Sequence, residues 1–251
     1  MRGRADRGET GRRTRRRAAS RGGAGRLLLA VLIGLVGLSL LLWPEARNAV
    51  YDRDIATLRA EFAQANEPGP GESSSPREDL YQLLTAENER LFASGQAGLS
   101  DPFAYESIAV DLSAYGLVDN RIGFIAIPAI GIDLPIYLGA SREHMKRGAV
   151  HLTHTSYPIG GINTNAVIAA HRGSVVVMFR DIDKIVPGDA IIITNFRERL
   201  VYQAVESAII DPDEIDRITI VPDRDLITLL SCHPRGVNDR RIVVYAERVM
   251  V

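Results

Sequence analysis

An uncharged stretch of 17 residues near the N-terminus sets the strongest limit on how this chain can fold. Residues 27–43 read LLLAVLIGLVGLSLLLW, and ten arginines precede them within residues 1–26. A helix of this length, at about 1.5 Å per residue, reaches the lower limit for crossing a bilayer core of about 30 Å. Arginines on the N-terminal side favour a cytoplasmic N-terminus, so residues 44–251 are predicted to be extracellular. A cleaved signal peptide is the alternative, and it also predicts export.

The composition predicts a globular exported part and gives no support for a nucleic-acid partner. The chain is 46% hydrophobic and 24% charged, with a net charge of −1. The arginine block is a candidate nucleic-acid arm, but its position beside an apolar span favours a role in membrane orientation. We therefore predict a basic cytoplasmic tail (1–26), a transmembrane helix (27–43), a helical stalk and linker (44–98), a connection (99–120) and a catalytic or binding domain (121–251).

Hydrophobic periodicity predicts helices first and a β domain afterwards. Residues 45–65 and 77–94 show helical spacing, with a Pro-, Gly- and Ser-rich linker at 66–76. From Arg121 onward, short apolar runs alternate with turn signals, and short helices fit only near 141–147 and 175–185. The β-like runs cover 165–170, 190–194, 199–210, 226–232 and 241–249. This pattern predicts a mostly β fold, a barrel or sandwich with short helices.

The most informative single residue is Cys232, the one cysteine of the chain. Disulfides form outside the cell, so a lone exported thiol is buried and inert, paired with another chain, or kept reactive. Cys232 ends the apolar run LITLLS, and His171 ends the similar run NAVIAA. Facing positions at one rim would let His171 act as the base that a thiol nucleophile needs. The alternative for His171 is an ordinary loop histidine.

Other candidates around Cys232 are weaker. Arg240 and Arg241 begin the last predicted strand, and since adjacent strand residues face opposite ways, one of them could stabilise an oxyanion beside the thiol. His233 adjoins Cys232 and should point away from it. His151 and His154 in HLTH lack a third ligand in a recognisable pattern, so no metal is predicted, and no nucleotide-cofactor fingerprint is present.

Taken together, these segments resemble the sortase family of cysteine transpeptidases. LITLLSCHPRGVNDRRIVVYAER resembles the signature strand with a cysteine and, nine residues later, an arginine; AVIAAHRG resembles the histidine segment. The resemblance extends over about 46–251 and implies a closed sortase-type β-barrel. It also implies that Cys232 is the nucleophile, His171 the general acid/base, and Arg241 rather than Arg240 the arginine that holds substrate or oxyanion.

One further segment resembles the class C, pilus-building sortases. LSDPFAYE at 99–106 is similar to the lid of that class, which implies that Asp101, Pro102 and Phe103 cover the site, Asp101 pairing with Arg241 and Phe103 resting on Cys232. Without the resemblance, Asp101 would be read as a helix cap followed by proline. The departures are Ala169-Ala170 before the histidine, Ser231 before the cysteine, and Arg235 where tyrosine is common. Many class C members also carry a second membrane helix after the barrel, and this sequence reaches Val251 without one.

The function that the resemblance implies is transpeptidation at a Gram-positive cell surface. A thioester on Cys232 would form from an LPxTG-like sorting signal cut between Thr and Gly, and the acyl group would pass to a lysine of a pilin. The partners would be pilin or surface proteins, with no cofactor. Anchoring of surface proteins to a peptidoglycan precursor is one alternative, and a non-catalytic, membrane-tethered barrel that binds a partner is another.

Overall fold

A computed structural model describes residues 21–66, 76–96, 99, 110–173 and 176–249, with the side chains of 21–24 left undescribed. A boundary between Glu45 and Ala46 divides the chain into two compact units. The first described helix, α1, covers Arg21–Ala65 and contains Pro44. Among the described residues, it is the one helix long and apolar enough to cross a membrane, with a mean hydropathy of 2.5 over its most apolar window.

The second unit is built around a closed barrel of eight strands. Around the barrel the order is β1-β2-β3-β4-β7-β8-β6-β5, and β1 pairs with β5 to close it. The pairs β2–β3 and β4–β7 are parallel, and the other pairs are antiparallel. The strands are β1 Arg121–Ile127, β2 Ile132–Leu138, β3 Ala149–His151, β4 Thr164–Ala169, β5 Ala190–Asn195, β6 Arg199–Ile210, β7 Asp225–His233 and β8 Arg240–Arg248. The predicted closed β-barrel is confirmed.

Every strand sends apolar side chains into the barrel interior. One buried cluster, which we call the interior cluster, contains a residue from each strand: Ile122, Leu134, Ala149, Ile168, Ile193, Leu200, Leu229 and Val244. The 3-10 helix Phe179–Lys184 adds Phe179 and Ile182 to the same cluster. Because side chains alternate along a strand, the neighbours of these residues point the other way: Leu230 and Val243, next to Leu229 and Val244, face out of the barrel.

A second apolar layer covers the outside of six neighbouring strands, β2-β3-β4-β7-β8-β6. We call it the outer cluster; its strand members include Tyr137, Val150, Val167, Ala169, Leu230 and Val243. Helix α3, Arg142–Arg147, contributes the buried Met145 to this layer. Strands β4, β7 and β8 are therefore apolar on both faces, which explains why their sequences are nearly continuous apolar runs rather than alternating ones.

The N-terminal helices supply further apolar contacts within the second unit. In α1, Ile55 and Phe62 are buried, and the Phe62 ring meets Phe124 of β1 edge-on at 5.5 Å. Helix α2, Pro76–Ala93, buries Leu80, Leu84 and Leu91. The helical spacing of these leucines therefore marks the face that packs into the core of the second unit.

Candidate active site

The lone cysteine lies at the end of a central strand of the barrel. Cys232 is the penultimate residue of β7, which runs between its parallel neighbour β4 and its antiparallel neighbour β8. Leu230, two residues earlier, belongs to the outer cluster. By the alternation of side chains, Cys232 also points to the outer face, away from the barrel interior. Its side chain is partly exposed.

His171 lies beside Cys232 on the β4 side. The parallel register pairs Ala169 with Leu230, and Ala170 N–H continues the ladder by donating to the Leu230 carbonyl at 3.2 Å. His171 comes two residues after Ala169, and Cys232 comes two residues after Leu230, so continuation of the parallel register brings the two residues to the same level. Since Ala169 faces the outer cluster, extended alternation directs His171 to the same face as Cys232. Burial lowers the pKa of His171, so its neutral imidazole is favoured.

Arg241 lies on the other side of Cys232. The two residues are direct cross-strand partners in the β7–β8 register. The side chain of Arg241 is buried, and its Nη1 donates to the carbonyls of Asn238 and Arg240 at 3.1 and 3.0 Å. These contacts fix the guanidinium against the β7–β8 turn. Arg240 instead is exposed and forms an ion pair with Asp211 at 3.4 Å, so the structure brings Arg241, not Arg240, to the thiol's face.

The residues that precede Cys232 and His171 are also joined. Ser231 is fully buried, and its Oγ donates to the Ala170 carbonyl at 2.6 Å. Both positions depart from the family pattern, as serine and alanine, yet the serine hydroxyl still forms a hydrogen bond with the chain leading to His171. This bond adds a side-chain link at the point where β4 has ended.

Arg172 makes side-chain contacts next to the catalytic candidates that the sequence did not predict. Arg172 is buried, and its Nη1 lies 2.7 Å from Nδ1 of His233. Its Nη2 forms an ion pair with Asp183 at 2.8 Å. Although burial tends to raise the pKa of Asp183, the hydrogen bond and charge of Arg172 lower it overall. The ring of His233 is therefore held by Arg172.

The two histidines of the HLTH motif differ in burial and in their contacts. His151 is fully buried, and its Nε2 lies 3.2 and 3.0 Å from the carbonyl oxygens of Thr155 and Ser156. Carbonyls only accept, so Nε2 carries the proton. His154 is exposed on the following turn. Within the described part of the chain, no group of three or more His, Cys, Asp or Glu side chains is arranged to hold a metal ion.

Comparisons with known proteins agree with this geometry. The sortase domain model matches residues 125–249. Sortase C1 of Streptococcus agalactiae, solved in complex with MTSET, is 32% identical, with a TM-score of 0.65 over 70% of this chain and 91% of that chain. The chain belongs to the sortase family. Sortases are cysteine transpeptidases, so the residues grouped around Cys232 lie on the scaffold of an enzyme family rather than of a binding module.

Several of the similar solved structures are class C or pilus-related sortases. A pilus-related sortase C of Group B Streptococcus is 34% identical, with a TM-score of 0.57 over 67% of this chain and 91% of that chain. A lid mutant of S. agalactiae sortase C1 has also been solved, at 30% identity and a TM-score of 0.63 over 70% and 90% of the two chains. Sortase D of Bacillus subtilis is 28% identical over 130 residues, which span 51% of this chain and 63% of that protein.

Described residues lie on both sides of the predicted lid. Asp101, Pro102 and Phe103 lie outside the described residues. On one side of them, Gln96 donates through Nε2 to the His154 carbonyl at 3.1 Å and accepts through Oε1 from Ile220 N–H at 2.6 Å. On the other side, Asp111 caps the 3-10 helix Leu112–Tyr115 by accepting from Ser113 N–H. The two residues fix the ends from which this segment departs.

Proposed function

We propose that this chain is a membrane-anchored pilus sortase that cleaves LPxTG-like signals between Thr and Gly and transfers the acyl group to a pilin lysine. The observation that supports it most directly is the shared outer face of Cys232, His171 and Arg241, with the thiol on the middle strand. The likeness to class C structures supports the pilus assignment. The apolar part of α1 supports anchoring, with the N-terminus cytoplasmic and the barrel at the Gram-positive cell surface.

In the first half-reaction, the Cys232 sulfur attacks the threonine carbonyl while His171 takes the thiol proton. The carbonyl oxygen becomes an oxyanion, and the guanidinium of Arg241 stabilises it. The C–N bond to glycine then breaks, and His171 gives its proton to the departing amine. The product is a thioester, and the electron pair of the broken bond leaves with the amine.

In the second half-reaction, the lysine amine attacks the thioester carbonyl and His171 accepts its proton. Collapse of the intermediate breaks the C–S bond, forms the amide, and returns the proton to the thiolate of Cys232. The lowered pKa of His171 suits this step because a neutral imidazole is needed to accept a proton from the amine. The apolar outer cluster beside the thiol limits access of water, which favours transfer over hydrolysis.

The decisive test is the intact mass of the enzyme after mixing with a sorting-signal peptide. The full chain in detergent micelles, carrying Asp101→Ala and Phe103→Ala to remove the proposed lid, should gain the mass of the peptide up to threonine. A chain that also carries Cys232→Ala should gain nothing. No adduct with a panel of LPxTG-type peptides, together with a thiol that resists alkylation, would contradict the proposal and favour a binding module.

A second experiment separates the two acceptor classes. The preformed thioester is mixed with a peptide bearing a single lysine, with the same peptide carrying glutamine there, and with an amine-bearing fragment of a cell-wall precursor. Faster release by the lysine peptide alone supports the pilus assignment. Release by the precursor fragment alone would show that this sortase anchors proteins to the wall instead.

The lid is part of the same proposal. Repeating the mass measurement with native Asp101 and Phe103 tests gating, since a closed lid must move before substrate binds. We expect slower thioester formation with the native lid than with the double substitution. Equal rates would remove the lid from the mechanism and leave the catalytic assignment intact.

A further inference from the structure

One hydrogen bond joins the two residues that directly follow the proposed acid/base and the proposed nucleophile. Arg172 directly follows His171, and His233 directly follows Cys232. Arg172 lies in the bend that follows β4, and His233 is the last residue of β7, so both belong to the end of the barrel at which Cys232 lies. The hydrogen bond between Arg172 Nη1 and His233 Nδ1 therefore connects the two chain segments that carry the proposed acid/base and nucleophile.

This connection occurs where the main-chain ladder is ending. Strand β4 stops at Ala169, and the bond from Ala170 N–H to the Leu230 carbonyl extends it by one residue. The distance between His171 and Cys232 must then be maintained by side chains as well. The 2.6 Å bond from Ser231 to the Ala170 carbonyl joins the residues just before Cys232 and His171. The Arg172–His233 bond joins the residues just after them.

Arg172 is itself fixed from a third direction. Its Nη2 pairs with Asp183 at 2.8 Å, and Asp183 lies in the 3-10 helix Phe179–Lys184, which follows His171 in the chain. Phe179 N–H also donates to the His171 carbonyl at 3.1 Å. The guanidinium thus joins three segments: the one containing His171, the 3-10 helix, and the end of β7. A planar guanidinium with fixed donors suits such a junction better than a flexible ammonium.

We propose that Arg172 is a positioning residue that sets the spacing of His171 and Cys232 through its hydrogen bond to His233. This inference rests on the proposed roles of His171 and Cys232. A guanidinium only donates, so Nδ1 of His233 is the acceptor of this hydrogen bond. We therefore expect position 233 to require a hydrogen-bond acceptor at the place of Nδ1.

The test compares substitutions that keep the acceptor with substitutions that remove it. His233→Asn places an amide oxygen near the position of Nδ1, whereas His233→Leu removes the acceptor; Arg172→Met removes both charge and donors. Tyr202→Phe is the matched control, because it removes a buried hydrogen bond of 3.0 Å to Asp225, which lies at the other end of β7 from Cys232. All variants are made in the full chain in detergent, with Asp101→Ala and Phe103→Ala.

The measurement is single-turnover thioester formation over a range of peptide concentrations, with the thermal midpoint of each variant recorded alongside. Misplacement of reacting groups lowers the saturated rate, so Arg172→Met and His233→Leu should lose about tenfold to a hundredfold in that rate, with the half-saturating peptide concentration unchanged. His233→Asn should stay within about threefold of the parent, and Tyr202→Phe should keep the parent rate even where its midpoint falls.

Three results would overturn the inference while the proposed function stands. They are a parent-like rate for Arg172→Met, equal rates for His233→Asn and His233→Leu, or a loss in Tyr202→Phe as large as that in Arg172→Met. If Arg172→Met does not fold, the two His233 variants decide the question. Absence of thioester in the parent chain itself, equal to that of Cys232→Ala, overturns the proposed function and this inference with it.

Discussion

Ser231 Oγ donates a 2.6 Å hydrogen bond to the carbonyl oxygen of Ala170, so the residue before the thiol is bonded to the residue before His171. Ser231 has no exposed surface. The bond joins β7 to the residue that directly follows β4, at the point where the pairing between these two strands ends. Alignment of the site therefore depends on a hydroxyl at position 231, which serine and threonine both provide.

Replacement of Ser231 by alanine should weaken both the fold and the reaction. Loss of one buried hydrogen bond costs about 1 kcal/mol in the free energy of unfolding, and thioester formation should slow because His171 is less firmly placed. Ser231→Thr keeps the hydroxyl and should retain more of both properties. Urea unfolding and intact-mass kinetics on the two variants check this. Equal rates for alanine and threonine would show that the bond has no part in alignment.

The two adjacent arginines of β8 should differ sharply. Arg241→Ala removes a buried guanidinium beside the thiol and should slow thioester formation by about a hundredfold to a thousandfold, the usual effect of losing an oxyanion donor. Arg240→Ala removes an exposed ion pair with Asp211 and should change the rate less than about twofold, since such pairs contribute little. Single-turnover mass measurements on both variants decide it. A large loss in Arg240→Ala would reverse the assignment.

His151 should make the fold sensitive to acid. Complete burial, partly offset by hydrogen bonds to the Thr155 and Ser156 carbonyls, lowers the pKa of His151 to about 4. In the unfolded chain, His151 binds a proton at its ordinary pKa of about 6.5. Stability from this residue is therefore full above about pH 6.5, and it declines as the pH falls until His151 itself is protonated near pH 4.

Urea unfolding at pH 7.5 and pH 5.0 measures this contribution. His151 should account for a loss of about 2 kcal/mol between the two conditions, and His151→Gln should remove that part of the loss because the amide does not titrate. His154→Asn is the control: His154 is exposed and has a φ of 62°, which asparagine tolerates. The same pH response in His151→Gln and the parent would show that another group is responsible.

Closure of the barrel should depend on Gly123. A Cβ added there would overlap the Thr194 carbonyl oxygen and lie 2.9 Å from the Asn195 Cα, both backbone atoms of β5. Gly123→Ala should therefore force β1 and β5 apart, at a cost of about 2 kcal/mol or more in the free energy of unfolding. Gly131→Ala is the comparison, with open space around it but a φ of 63°, and should cost about 1 kcal/mol. Similar losses in the two would contradict the steric argument.

The sequence predicts most strands correctly because their ends carry turn chemistry. The run 199–210 lies between the PGD and DPDE signals and the run 226–232 follows the second of them, and the observed strands Arg199–Ile210 and Asp225–His233 match these runs closely. The order around the barrel could not be derived in the same way. The parallel pairs β2–β3 and β4–β7 join strands that are not hairpins, and pairing of this kind is decided by tertiary packing.

Some residues of the site could likewise be predicted from the sequence, and others could not. Cys232, His171 and Arg241 could be singled out because each occurs at the end of an apolar run, or resembles a family motif at a fixed spacing. Arg172 could not, because an arginine after a strand is normally solvated. Its burial follows from Asp183 and His233, which are 11 and 61 positions away in the sequence and meet it only in the folded chain.

Because side chains alternate along β7, the thiol and the core side chains of this strand lie on opposite faces. Leu229 belongs to the interior cluster, whereas Cys232 projects from the opposite face of the same strand. Alkylation or oxidation of the thiol adds atoms to the outside of the barrel wall and leaves the interior contacts as they were. Chemical damage at Cys232 should therefore block the proposed thioester chemistry and leave the barrel folded.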